Sequence, residues 1–152
     1  MTDPISFTST TPRYGLPLLF AGQSQKEFYV NEAHALTDAL LHPACEGEAS
    51  DPPSTPVEGE MWLVATGATG DWAGADGKIA SRQSGNWLFT SPADGMRLLD
   101  RSTGQMLLYR GGWQHPSAPA APTGGTTVDA EARVALADLI AALAAAGIFP
   151  TD

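Results

Sequence analysis

SQKEFYVNEAHALTDALLHP, residues 24–43, decides how the fold is read. Ser24 and Glu27 stand in the S-x-x-E capping-box pattern, in which the two side chains satisfy backbone N–H groups left open at a helix start. Tyr29, Ala33, Leu36 and Leu40 then recur at i, i+4, i+7 and i+11, the spacing of one apolar helical stripe. Pro43 closes the segment, because a proline pushes its predecessor out of the helical region. The pattern predicts a helix over residues 25–41. Upstream, residues 1–24 read as an extended arm. The apolar run Tyr14-Gly15-Leu16-Pro17-Leu18-Leu19-Phe20 is too broken for a helix, yet apolar enough to bury Leu18, Leu19 and Phe20.

Downstream the texture changes. Residues 44–58 form an acidic, proline-rich connector, and after it come short strands separated by glycine turns. Strands are expected at 60–65, 78–83, 87–90, 96–100 and 105–110, which together make one small antiparallel sheet within residues 60–115. Twice a strand ends in an arginine, a glycine turn and a tryptophan, at Arg82-Gly85-Trp87 and Arg110-Gly111-Trp113. Two copies are too few for a repeat array, and repeated hairpin chemistry accounts for them. Residues 117–126 are a proline-, alanine- and glycine-rich linker. A second helix follows within 127–152, with Thr127 as its cap and with Asp129 and Glu131 at the positive end of its dipole. Ala132, Leu136, Leu139, Leu143 and Ala146 alternate steps of four and three, with Ile140 beside them. Gly147 and Pro150 mark the stop. The fold expected is α+β: an N-terminal helix packed on a small antiparallel sheet in a core spanning 25–116, plus a C-terminal assembly helix. Leu136, Leu139, Ile140 and Leu143 are the residues expected at an oligomer contact.

The 152 residues carry 17 acids against 8 bases, a formal charge of −9. Nucleic-acid binding requires a basic surface that neutralises phosphates, so no nucleic-acid partner is expected, and no anionic membrane surface. No apolar run approaches the ~20 residues of a membrane span. The chain is expected to be made in the cytoplasm. Cys45 is the one cysteine, so no intrachain disulfide can form, and no zinc site is expected.

Catalytic signatures are missing. Gly77-Lys78 is followed by Ile79 rather than Ser or Thr, and Gly22-Gln23-Ser24-Gln25 lacks the final glycine of a nucleophile elbow. His34, His42 and His115 have no metal-binding spacing. Asp71 and Asp76 flank Trp72 as paired cleft acids would, but acids beside glycines more simply make turns. No catalytic residue, metal or cofactor is expected. Of the four tryptophans, Trp62 and Trp87 fall inside strands and suit a core. Trp72 and Trp113 sit in or beside glycine turns, where an indole could lie flat and stack on a sugar ring, with Tyr109 as a neighbour.

Several blocks carry a resemblance: Thr11-Pro12-Arg13-Tyr14-Gly15-Leu16-Pro17, Gly22-Gln23-Ser24-Gln25-Lys26-Glu27, Asn31-Glu32-Ala33, Glu58-Gly59-Glu60-Met61-Trp62, and Ala68-Thr69-Gly70-Asp71-Trp72-Ala73-Gly74. Together they resemble a domain of unknown function from alphaproteobacterial prophages and gene transfer agents. The resemblance implies a structural subunit of a phage-like particle, in a head spike or a fibre base or connector, released by lysis. Its implied partners are further copies of itself, as trimer or pentamer, other proteins of the capsid vertex or fibre, and cell-surface polysaccharide. A glycan-binding module is the alternative. Neither reading supplies a hydrolytic centre. We therefore expect no turnover of polysaccharides or esters in a chromogenic assay; turnover that disappears in Asp71→Asn or Asp76→Asn would overturn this.

Overall fold

A computed structural model describes residues 9–19, 22 and 26–151. Two helices and eight short strands are present among them, an α+β architecture with the C-terminal helix in place. The chain divides into two compact units after Pro92, inside the 25–116 span read from sequence as one core.

In the first unit, α1 runs Lys26–Leu40. The Glu27 carboxylate accepts from the Gly22 N–H at 3.1 Å; Ser24, its expected capping partner, lies outside the described residues, as do Phe20 and residues 1–8 of the arm. The buried face is not the expected stripe. Tyr29 is 79% exposed and Ala33 is exposed, Leu36 and Leu40 are half-buried, and the residues sealed inside are Ala35, Asp38 and Ala39. Small side chains at 35 and 39 let α1 approach closely, and the larger residues flank the contact.

Residues 9–19 form a closed loop rather than an extended arm. Leu18 N–H donates to the Ser9 carbonyl at 2.9 Å and Thr11 N–H to that of Leu16 at 3.0 Å. The loop is pinned to α1 by Asp38, 2% exposed. Its carboxylate accepts from the Thr11 hydroxyl at 2.7 Å, the Arg13 N–H at 3.0 Å and the Tyr14 N–H at 2.6 Å. The Arg13 guanidinium donates in turn to the carbonyls of Asp38, Ala39 and His42, which the end of the helix leaves open. Asn31 fixes the other end of the loop, bonding both the N–H and the carbonyl of Leu19.

Strands β1 (Ala44–Cys45), β2 (Glu48–Ala49), β3 (Met61–Val64), β4 (Ile79–Gln83) and β5 (Asn86–Thr90) follow. The sheet order is β2-β3-β4-β5, with β2 parallel to β3 and the remaining pairs antiparallel. The connector thus contains two strands that sequence reading missed, since two residues are too few to show alternation. One of them also makes the sheet mixed rather than purely antiparallel. Ser84 and Gly85 close the β4–β5 hairpin with φ of 50° and 76°, as a tight two-residue turn requires. Glu58 holds that turn by accepting from both their N–H groups at 2.6 Å. Alternation puts Trp62, Val64, Ala80, Arg82, Trp87 and Phe89 on one face. On the other, Ser81, Gln83 and Leu88 share clefts with Ala35 of α1.

The second unit contains β6 (Arg97–Asp100), β7 (Gln105–Tyr109) and β8 (Trp113–Gln114), joined as an antiparallel meander. Helix α2 runs Ala130–Ala145. Its cap is Asp129, whose carboxylate accepts from the Ala132 N–H at 2.9 Å, and not Thr127. Its end is a Schellman turn: Ile148 N–H reaches the Leu143 carbonyl and Gly147 N–H that of Ala144, with Gly147 at φ 72°.

Asp38→Ala would leave two backbone N–H groups and a hydroxyl without their acceptor, each worth roughly 1–3 kcal/mol when buried. We expect a loss of at least ~3 kcal/mol in urea unfolding, and a stability within the error of wild type would contradict the pinning role.

Candidate functional site

The sheet face turned away from α1 carries an aromatic cluster built by the loop between β3 and β4. That loop contains a 3₁₀ turn, Gly70–Trp72, and is held by two acids, Asp76 within it and Asp51 from the segment between β2 and β3. Asp76 accepts from the N–H groups of Gly67 and Ala68, both at 3.0 Å. Asp51 accepts from the hydroxyls of Thr69 and Ser50. These bonds favour the charged carboxylates. Backbone donors from Gly67 and Ala68 hold Asp76 below its ordinary pKa, and the Thr69 and Ser50 hydroxyls do the same for Asp51. Asp76 is therefore a turn-maker, and its carboxylate is occupied by the backbone. Among the described residues no group of three or more His, Cys, Asp or Glu could hold a metal ion.

Folded this way, the loop drives Trp72 inward. Its exposure is 0%, and it packs with Val64, Ala75 and Ala80. The Trp72 ring stands edge-on to Trp87 at 5.2 Å between centroids and lies 6.2 Å from Trp62. Arg82 covers Trp87 with its guanidinium carbon 5.2 Å from the ring centre, a cation–π placement. The expectation that Trp72 offers a flat face to a sugar is thereby corrected: the residue is the centre of the core on this side. Sequence gave it the wrong environment because glycine turns usually lie at the surface, whereas here they bring a large side chain back over the sheet.

The other two aromatic candidates are together. Tyr109 and Trp113 are directly paired across β7 and β8, half-buried, with ring centroids 5.3 Å apart at 72°. They form a small, half-buried aromatic ledge in the second unit. Asp94 steadies the intervening turn by accepting from the Gly111 N–H at 2.8 Å.

The expected oligomer residues divide. No residue of α2 is buried. Leu136 and Leu139 are 47% and 54% exposed, and Leu143 is half-buried. Ile140 is turned toward the linker, lining an open cleft of about 760 Å³ with Ala118, Pro119 and Ala121.

A family model matches residues 30–114, described as a protein of unknown function (DUF2793). The chain belongs to the DUF2793 family. The matched span begins within α1 and ends with β8, so it takes in the sheet, the tryptophan loop and the Tyr109–Trp113 ledge, and leaves α2 outside it. No curated protein matches the chain.

Two measurements test this geometry. Trp72→Ala should cost about 3–5 kcal/mol, the usual penalty for emptying a large buried aromatic, and should erase most of the near-ultraviolet circular dichroism; a mild loss would place the indole elsewhere. Asp76 is a depressed carboxylate, so its stabilisation is present above about pH 4 and is lost as pH falls through its lowered pKa. Asp76→Asn should flatten the acid limb of the stability curve below about pH 4, and an unchanged limb would contradict the assignment.

Proposed function

We propose that the protein is a structural subunit of a phage-like particle, a prophage virion or gene transfer agent, placed in a head spike or in a fibre base or connector. The observation that carries this reading is α2. It is an alanine- and leucine-rich helix joined by an exposed linker, and none of its residues is buried. A helix of this kind gains its stability by burying an apolar face against something else. The resemblance of the Thr11–Pro17, Gly22–Glu27 and Ala68–Gly74 blocks to prophage and gene-transfer-agent proteins supplies the setting. In that setting the subunit is homo-oligomeric, as trimer or pentamer, and contacts other proteins of the capsid vertex or fibre. No step of the proposed role requires catalysis or a cofactor.

The aromatic ledge favours a second reading, a glycan-binding module, which can coexist with the first in one attachment organelle. With Trp72 inside the core, that reading rests on Tyr109 and Trp113. Aromatic faces stacked on sugar rings are its physical basis.

We expect the protein to co-purify with density-banded particles from an induced culture, at a fixed ratio to the major capsid protein. Its absence from banded particles would remove the assignment. Trp113→Ala should abolish binding to host surface polysaccharide, read by tryptophan fluorescence, without unfolding the chain, and binding that persists in this variant would remove the glycan reading.

A further inference from the structure

The first sheet ends in two edge strands of different character. β2 is two residues long and carries the exposed Glu48, a short and charged edge of the kind that stays in water. β5 is five residues long, Asn86-Trp87-Leu88-Phe89-Thr90, with no charge and no proline. Its bonding pattern follows from β4. The Arg82 N–H donates to the Glu60 carbonyl and the Arg82 carbonyl accepts from the Gly59 N–H, both at 2.9 Å, so Arg82 spends both backbone groups on the chain entering β3. The residues of β4 that bond β5 are therefore Ile79, Ser81 and Gln83, opposite Thr90, Leu88 and Asn86. Trp87 and Phe89, opposite Arg82 and Ala80, turn their N–H and C=O groups outward. Among the described residues no backbone group bonds to that edge.

We propose that β5 pairs antiparallel with β5 of a second copy, about a twofold axis at Leu88, joining two four-stranded sheets into one. The inference goes beyond the particle reading and does not rest on it, since a twofold contact is not the contact that closes a trimer or pentamer. Outward N–H and C=O groups at ladder spacing call for an extended backbone, which a helix or a lipid chain does not offer. A second β5 supplies one whose side chains match. With Leu88 on the axis all five residues pair, and the outward groups of Trp87 meet those of the second copy's Phe89, donor to acceptor. Leu88 then faces Leu88, Trp87 faces Phe89 on the side of the aromatic cluster, and Asn86 faces Thr90 at either end, so apolar meets apolar and polar meets polar. Moving the axis to Trp87 or Phe89 sets Leu88 against Asn86 or Thr90 and pairs less of the strand. Charge selects the same edge. In a chain of net charge −9, pairing through β2 brings Glu48 up to Glu48, whereas β5 brings no like charges together.

The strand is held in shape before a partner arrives. Glu58 clamps the Ser84 and Gly85 N–H groups at the hairpin turn. Trp87 and Phe89 pack against the cluster around Trp72, and the Arg82 guanidinium covers the Trp87 ring. A preformed strand gives up little conformational freedom when it pairs. Pairing also uses up the free edge of both copies, so the contact stops at two rather than growing into a fibre.

The test combines light scattering with amide hydrogen exchange read by NMR on the full-length chain, from ~20 µM to ~1 mM. Protection should follow mass. Where the mass is twice 15.9 kDa or a higher even multiple, the Trp87 and Phe89 amides should exchange at least about tenfold more slowly than where it is 15.9 kDa. The Leu88 amide, already bonded within its own sheet, should be equally protected in both. Leu88→Lys, which sets like charges against each other on the axis, should halve the wild-type mass with the near-ultraviolet tryptophan signal intact. Mixing it with Leu88→Glu should restore that mass. A wild-type chain of 15.9 kDa at every concentration would overturn the proposal, as would an oligomer whose Trp87 and Phe89 amides exchange freely. Protection of those amides in a 15.9 kDa chain would overturn it too, because the chain then covers its own edge. So would a Leu88→Lys chain of wild-type mass, or growth into thioflavin-binding fibres. If Leu88→Lys fails to fold, the amide pattern of the wild type decides alone.

Discussion

The buried carboxylate of Asp38 is the constraint on which the first unit depends. An ionised carboxylate withdrawn from water is costly unless hydrogen bonds replace its hydration, and near a helix C-terminus the dipole opposes it as well. The chain meets both demands with one loop. Thr11, Arg13 and Tyr14 supply three donors to Asp38, and the Arg13 guanidinium brings positive charge to the carbonyl end of the same helix. The guanidinium also reaches the Met61 sulfur at 3.3 Å, which ties the loop to the first residue of β3. Pro12 packs so close to Gly59 that a Cβ there would lie 3.1 Å away, and Gly59 has φ 83°. Helix, loop and strand entry are therefore mutually required: removing one leaves polar groups of the others without partners.

Much of this was legible in the sequence, and the misses share a cause. Element type came through wherever periodicity ran for four or more residues. The five strands longer than two residues and both helices fall where alternation, turn glycines and proline stops place them. Burial came through less well. Reading apolar residues as the inward stripe of α1 favoured Tyr29 and Ala33, whereas the helix turns Ala35, Asp38 and Ala39 inward. A buried acid is invisible to a hydrophobicity pattern, because what makes it tolerable is a set of donors 24 to 27 residues away in the chain. The cap of α2 is a smaller case. Thr127 and Asp129 both fit the composition of a helix start, and only backbone geometry shows that Asp129 reaches Ala132.

Trp72 shows the same limit from the opposite direction. Gly67, Gly70 and Gly74 around it all have positive φ, which sequence reading takes as a sign of exposed turns. Their conformational freedom is used here to reverse the chain twice within a few residues, and Asp76 locks the reversal through Gly67 and Ala68. The loop's backbone groups bond to Asp76 within it and to Ser50 outside it, so the loop can lie over the sheet and deliver an indole into contact with Trp87 and Trp62. Asp76, one of the two acids flanking the tryptophan, serves this folding task. Within the candidate site, the residues that sequence grouped by type are thus separated by structure into a core member, Trp72, and a surface pair, Tyr109 and Trp113.

The second unit follows a different logic, because its helix is secured at one end and bare along its body. The Schellman turn and the bonds from Gly147, Ile148 and Thr151 to residues 103–106 fix the last turn of α2. An isolated helix of 16 residues is marginal in water, and capping both ends satisfies backbone groups without burying any leucine. Ordered ends and leucines left exposed or half-buried form a consistent combination. The caps make the helix available as a preformed surface, which lowers the ordering cost of association. No residue of α2 is buried, and in the proposed assembly role its apolar face is what associates. A helix meant only to complete its own unit would need the opposite arrangement, with the leucines turned onto β6–β8.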